Sequence, residues 1–229
     1  MAALTEEQSM LKDQASAWAR DEAPVQKFRE MRDAGTESGF TPATWEAMVE
    51  MGWTGILVPE AYGGSDLGYL TFGVVLEELG RQLTASPLYA SALVGTSAVL
   101  LGGNEAQKSE LLPKVVDGSE ILTLAVDEGP RHAPAATALS AEKSGDGFKL
   151  SGSKAFVVEG MSATTFIVAA RTSGQPGSTD GISLFLVPAE AAGVRRARLA
   201  TVDSRGYANV QFDGVEVSGD ALLGEADQG

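Results

Sequence analysis

The sequence predicts an α+β chain: an all-helical domain over residues 1–118, then an antiparallel β-barrel or sandwich over residues 119–229. Three observations carry this. Up to about Gly118 the apolar residues recur with helical period and the runs open on capping signals. Beyond Gly118 the runs become short, β-rich and separated by turn residues. No helical pattern intervenes between those runs, which favours antiparallel pairing in a barrel or sandwich.

The elements follow in order. Thr5 and Gln8 have the spacing of a capping box, and Leu11, Ala15 and Trp18 continue on one face. Thr41 caps a second helix with Pro42 at its first position; Trp45, Met48 and Val49 form its stripe and Gly52 ends it. Phe72, Val75, Leu76 and Leu79 mark a third. Ser86–Pro87 opens a fourth, closed by Gly102 and Gly103, and Asn104 with Gln107 caps a fifth. Short connections make this an up-and-down set. Strands are expected at 120–126, 137–142, 148–152, 155–159, 165–171, 181–187, 208–214 and 215–217, with a hairpin turn at "SGDG", 144–147. The turn-rich stretch 173–181 reads as a loop.

Composition limits the function. A net charge of −14 opposes non-specific nucleic-acid binding, and the densest basic run, Arg195 to Arg198, reads as a solvated strand or loop. With no cysteine there are no disulfides, thiolate metal sites or cysteine nucleophiles. No apolar run spans a bilayer, and "MAALTEEQSM" lacks the basic and apolar regions of a signal peptide, so a cytoplasmic location without membrane partners is expected. His132, the one histidine, anchors no multi-histidine metal site and reads as a surface-loop residue. Asp127 and Glu128 read as solvated strand ends, on opposite faces of the strand. "GFKLSGSK", 147–154, has its serine before its lysine and no helix behind it, so it is not a phosphate-binding loop. There is no dinucleotide-binding G-x-G-x-x-G signature either. The residues alone lead to an acidic two-domain protein and no further.

Longer stretches add a resemblance. "VPEAYGGSDLGYLTFGVVLEELGR" (58–81) resembles the acyl-CoA dehydrogenase signature V-P-E-x-Y-G-G with its following helix. "GNEAQKSELLPKVVDGSEILTLAV" (103–126) is similar to that family's passage from helical to β domain, and "GDGFKLSGSKAFVVEGMSATTFIVAART" (145–172) to its G-x-x-Y-x-L-x-G-x-K-x-[WF] segment. "GISLFLVP", "VQFDGVEV" and "LLGEADQG" resemble its closing strands. Gly63 and Gly64 permit unusual backbone angles, and Gly152 is expected to tighten a hairpin before Lys154.

The resemblance implies FAD held between the β domain and a C-terminal helical domain, and α,β-dehydrogenation of an acyl-CoA thioester. A glutamate of that C-terminal domain takes the α proton, and electrons leave to an electron-transfer flavoprotein. It also implies a homo- or hetero-oligomer of similar subunits. The chain ends at "GEADQG", where the C-terminal domain would begin, so no catalytic residue is expected within it. Phe156 would flank the flavin, main-chain groups at Leu124, Ala125 and Val126 would meet its ring, and Val158 stands where the family has a hydroxyl. Ser91 and Val94 occupy the acyl-pocket helix, where small residues serve a bulky acyl group or simply helix packing. Two departures stand out. "VDEGPRHA" (126–133) replaces the family's T-E-P-x-A-G-S-D, and Val126 and Val158 replace hydroxyl residues. Each lost hydrogen bond weakens binding by about 0.5–1.5 kcal/mol. The alternative to a flavoenzyme is therefore a non-catalytic, flavin-site-degenerate partner subunit of a heteromeric member, as in those acting on steroid side-chain CoA esters.

Overall fold

The computed structural model describes residues 4–229. Helix α1 (Glu6–Asp21) starts on the expected capping box: the Gln8 amide donates to Thr5 Oγ1 at 3.2 Å and the Thr5 amide to Gln8 Oε1 at 3.1 Å. Helix α2 (Val25–Asp33), absent from the sequence reading, follows Pro24 and buries only Met31. Its few apolar residues give a weak periodic signal. Helix α3 (Pro42–Glu50) is capped by Thr41 and buries Trp45 and Met48. Helix α4 (Gly68–Arg81) buries Phe72, Val75 and Leu79, as the periodicity requires, and packs on α1.

The expected fourth helix begins later than Ser86–Pro87 and is not uniform. Tyr89–Gly95 is wound as a π-helix that runs directly into α5 (Thr96–Gly102). Helix α6 (Glu105–Val116) closes the series on the Asn104–Gln107 capping box.

Eight strands follow: β1 (Leu122–Ala125), β2 (Ser140–Ser144), β3 (Gly147–Val157), β4 (Thr165–Arg171), β5 (Ile182–Pro188), β6 (Val194–Arg198), β7 (Ala208–Val217) and β8 (Leu222–Leu223). Their order is β6-β7-β3-β2-β4-β5-β8, with β1 beside β4. Most pairs are antiparallel, as expected; β1 and β4 are parallel over Leu122–Ala125 and Thr165–Val168. The intervening β2–β3 hairpin supplies the crossover that a parallel pair needs.

Several segment boundaries are corrected. The runs at 148–152 and 155–159 are one strand, β3, which ends at Val157, so Val158 and Glu159 lie beyond it. The runs at 208–214 and 215–217 are likewise one strand, β7. The 137–142 run starts only at Ser140, because Pro134–Ala136 forms a 3₁₀ turn. The arginine run is a strand at one end of the sheet. Gly152 sits at a bulge within β3, not in a hairpin turn. At its φ of 144°, a Cβ there would meet Leu139 Cα at 2.9 Å.

Three apolar clusters hold these parts. One lies inside the sheet domain, around Leu150, Phe166, Phe185 and Phe212. Another lies among the helices, around Met48, Trp53, Phe72 and Leu88. The third joins the two: Val99, Leu112 and Val115 from the helices meet Leu122, Ile167 and Leu223 from the sheet. Every residue of β4 is buried, since it has the sheet core on one face and helices on the other. Gln107 reinforces the seam by donating to the Asp220 and Leu222 carbonyls at 2.8 and 2.9 Å.

Candidate functional site

The end of β1, the bulge in β3 and the loop between β1 and β2 converge at one place, and a buried lysine holds them there. Lys154 is 1% exposed. Its Nζ donates to the Val126 carbonyl and to Glu128 Oε1, both at 2.8 Å. Glu128 in turn accepts from the Leu139 and Ala138 amides, each at 2.9 Å. Burial pulls the Lys154 ammonium below its ordinary value, while Glu128 works to keep it charged.

Arg171 fixes the far side of the same loop. Its guanidinium donates to the carbonyls of Thr137, Ala135, Asp180 and Ser178 at 2.7–3.2 Å. One buried fork therefore ties this loop to the 173–181 loop.

The expectation that Asp127 and Glu128 are merely solvated strand ends is corrected: both carboxylates are engaged. Asp127 accepts from the Ala133 amide at 3.0 Å and pairs with His132 Nδ1 at 3.0 Å. Burial works to raise its carboxyl, but the His132 and Ala133 hydrogen bonds outweigh it and hold it below the usual value. His132 itself is exposed on the loop, as expected.

Phe156 occupies the bulge between Lys154 and Val157. Its φ is +52°, a left-handed conformation uncommon for an aromatic residue, and the residue is 54% exposed. Its amide donates to Asn209 Oδ1 at 3.2 Å. Three residues on, Glu159 also has a positive φ, +53°, but is fully buried. It is ion-paired with Arg205, which also donates to the Ser86 carbonyl.

The other expected site residues are distributed as follows. Leu124 packs into the seam cluster between helices and sheet, and Ala125 is buried in the sheet core, so the two point to opposite sides of β1. Val126 and Val158 are half-buried. The Val158 carbonyl accepts from Thr123 Oγ1 at 2.5 Å. Ser91 is fully buried on the π-helix; its Oγ accepts from the Leu122 amide at 3.1 Å and lies 3.4 Å from the Glu120 carbonyl. Val94 is half-buried on the same helix. Sequence reasoning missed the two charged pairs, Lys154–Glu128 and Arg205–Glu159. Their partners lie 26 and 46 residues apart, so no local pattern links them.

Comparisons with known proteins place this geometry in context. Residues 5–119 match the family model for "Acyl-CoA dehydrogenase, N-terminal domain", and residues 127–215 the one for "Acyl-CoA dehydrogenase, middle domain". The mitochondrial isovaleryl-CoA dehydrogenase of Pongo abelii is 32% identical over 99% of this chain and 55% of its own length. Among solved structures, the Tcur3481–Tcur3483 steroid ACAD is 35% identical with a TM-score of 0.83, covering 96% of this chain and 57% of that one. The ChsE4–ChsE5 complex from Mycobacterium tuberculosis is 27% identical with a TM-score of 0.86, covering 99% and 59%. The chain thus spans a little over half the length of the relatives it matches.

Proposed function

The chain belongs to the acyl-CoA dehydrogenase family, and on that premise we propose that it supports, rather than performs, the α,β-dehydrogenation of an acyl-CoA thioester in an assembly with a second acyl-CoA dehydrogenase-like chain. The observation that carries this reading is that Val126 and Val158, just beyond β1 and β3, stand where the family resemblance expects hydroxyl residues. Val126 and Val158 bring no hydrogen-bonding side-chain atom. Three nearby hydroxyls are already hydrogen-bonded: Thr123 to the Val158 carbonyl, Thr137 to the Pro134 carbonyl, and Ser91 to the start of β1. Lys154 and Glu128 satisfy each other. An exposed aromatic residue fits the face of a flavin ring, but the polar edge and phosphates of FAD need donors that Val126 and Val158 do not offer. The side chains present do not make a self-sufficient FAD site, and no step of the oxidation is assigned to them.

In this reading the chain's own work is structural and steric. The Lys154–Glu128 pair and Arg171 hold the loop wall, and Phe156 presents an aromatic face to a shared site. Val94 lines the acyl side while Ser91 fixes its helix on β1. The relative named as a ChsE4–ChsE5 complex supports a second chain as partner, and the one named as a steroid ACAD supports a steroid CoA ester as the substrate class. An electron-transfer flavoprotein as acceptor and a cytoplasmic location belong to the same proposal; no helix among the described residues is long and apolar enough to cross a membrane.

A second reading has one observation in its favour: the exposed Phe156 at the β3 bulge. The chain would then hold FAD itself, through that ring and main-chain groups at Leu124 to Val126. A visible absorption spectrum separates the two. The isolated chain, mixed with excess FAD and passed through gel filtration, is expected to emerge colourless, whereas its native assembly carries flavin. Flavin absorption retained by the isolated chain would establish the second reading.

A further inference from the structure

We propose that Glu159 is a positioning residue for Phe156: with Arg205 and the Ser86 carbonyl it clamps the strained Phe156–Glu159 turn to the helical half, and the presentation of the aromatic ring depends on that clamp. The inference rests on the proposed role of Phe156 at a shared site, but its evidence is independent of any cofactor.

Phe156 and Glu159 both adopt positive φ within four residues, which costs free energy unless the surroundings enforce it. Phe156 is exposed, whereas the enforcing contacts are buried. Glu159 is fully buried, and one of its oxygens pairs with Arg205. The same guanidinium nitrogen reaches the Ser86 carbonyl just before the π-helix, so one side chain spans sheet and helices. The Glu159 carbonyl accepts from the Ser162 and Ala163 amides, both at 3.0 Å, which closes the turn. Glu159 Oε2 and Arg205 Nε are buried and have no hydrogen-bond partner within the protein.

The clamp is also sensitive to protons. Burial pushes the Glu159 carboxyl up to about 7; Arg205 opposes the rise and Asp203 adds to it. The remaining titratable neighbours are Tyr207, itself raised by burial, and Tyr89, which acts on Tyr207 from the helical half. A neutral Glu159 still accepts from Arg205 and avoids burying a charge, so the closed turn is favoured by the protonated form and opens more readily as pH rises through about 7.

The test reads the ring position directly. In a Phe156→Trp chain, the tryptophan emission maximum is expected to shift with a midpoint near pH 7, and adding Glu159→Gln should abolish that transition. A transition that survives Glu159→Gln, or none in Phe156→Trp alone, overturns the proposal. Should the double variant not fold, amide exchange in the unsubstituted chain decides. Protection at Ser162 and Ala163, corrected for intrinsic rate, should fall as pH rises through about 7; protection unchanged across that range overturns it. No flavin enters either measurement, so failure here leaves the supporting-subunit reading untouched.

Discussion

Glu128 and Glu159 show how differently two buried ion pairs behave in one molecule. Glu128 keeps partial solvent contact and spends both oxygens on hydrogen bonds, so its pair with Lys154 is complete. Removing it by Glu128→Ala strands a buried ammonium and two backbone amides. The expected loss is about 3 kcal/mol in urea unfolding. Adding Lys154→Met should recover much of that; a double variant as unstable as the single would contradict the pairing argument. Glu159 is the incomplete case, and its linkage runs the other way. A glutamate titrates near about 4.3 when unfolded, but near 7 in this fold. Between those values the folded chain holds a proton that the unfolded chain has released. The contribution of this group to stability is therefore fully present below the unfolded value and is lost as pH rises through 7. Comparing urea midpoints at about pH 5 and about pH 8 should show this component in the unsubstituted chain and its absence in Glu159→Gln.

Among the elements, β3 has the largest effect on the site. Its two bulges interrupt the pairing with β7, one at Gly152 and one between Lys154 and Val157. The first lets the strand pass against Leu139, and the second turns Phe156 outward. Gly152→Ala combines a positive φ with a Cβ 2.9 Å from Leu139 Cα, so something must move. A loss of about 1–3 kcal/mol is expected, read as a lowered melting temperature. An unchanged melting temperature would mean that the bulge relaxes freely. The sequence shows the two halves of β3 as separate runs, because the bulges break the alternation from which strands are read. Helix ends are more legible. Thr5, Thr41 and Asn104 each act through their own next three residues, and all three caps form as the spacing requires.

On the scale of the whole molecule, the seam between helices and sheet is the deciding feature. Leu112 is fully buried in the cluster that also holds Leu122, Ile167 and Leu223. Leu112→Ala should cost about 2–5 kcal/mol. Because the cluster is shared, near-ultraviolet signals from the helical tryptophans and far-ultraviolet signals from the sheet should shift together on heating. Separate transitions would show that the two halves fold independently. The same seam explains Ser91, a small residue whose hydroxyl belongs to β1 and which holds the π-helix against the sheet.

The order of a helical half and a sheet half, the caps, most strands and the family resemblance are all written in local patterns, which depend on residues a few positions apart. What surrounds Phe156 is not. Its exposure depends on a bulge; the loop wall depends on Lys154 reaching Glu128; the turn beyond depends on Glu159 meeting Arg205 and Ser86. These partners are distant in sequence, and burial decides which charges must be paired. Local periodicity fixed the elements of this protein, and desolvation in the assembled fold decided which of its charges hold the candidate site in place.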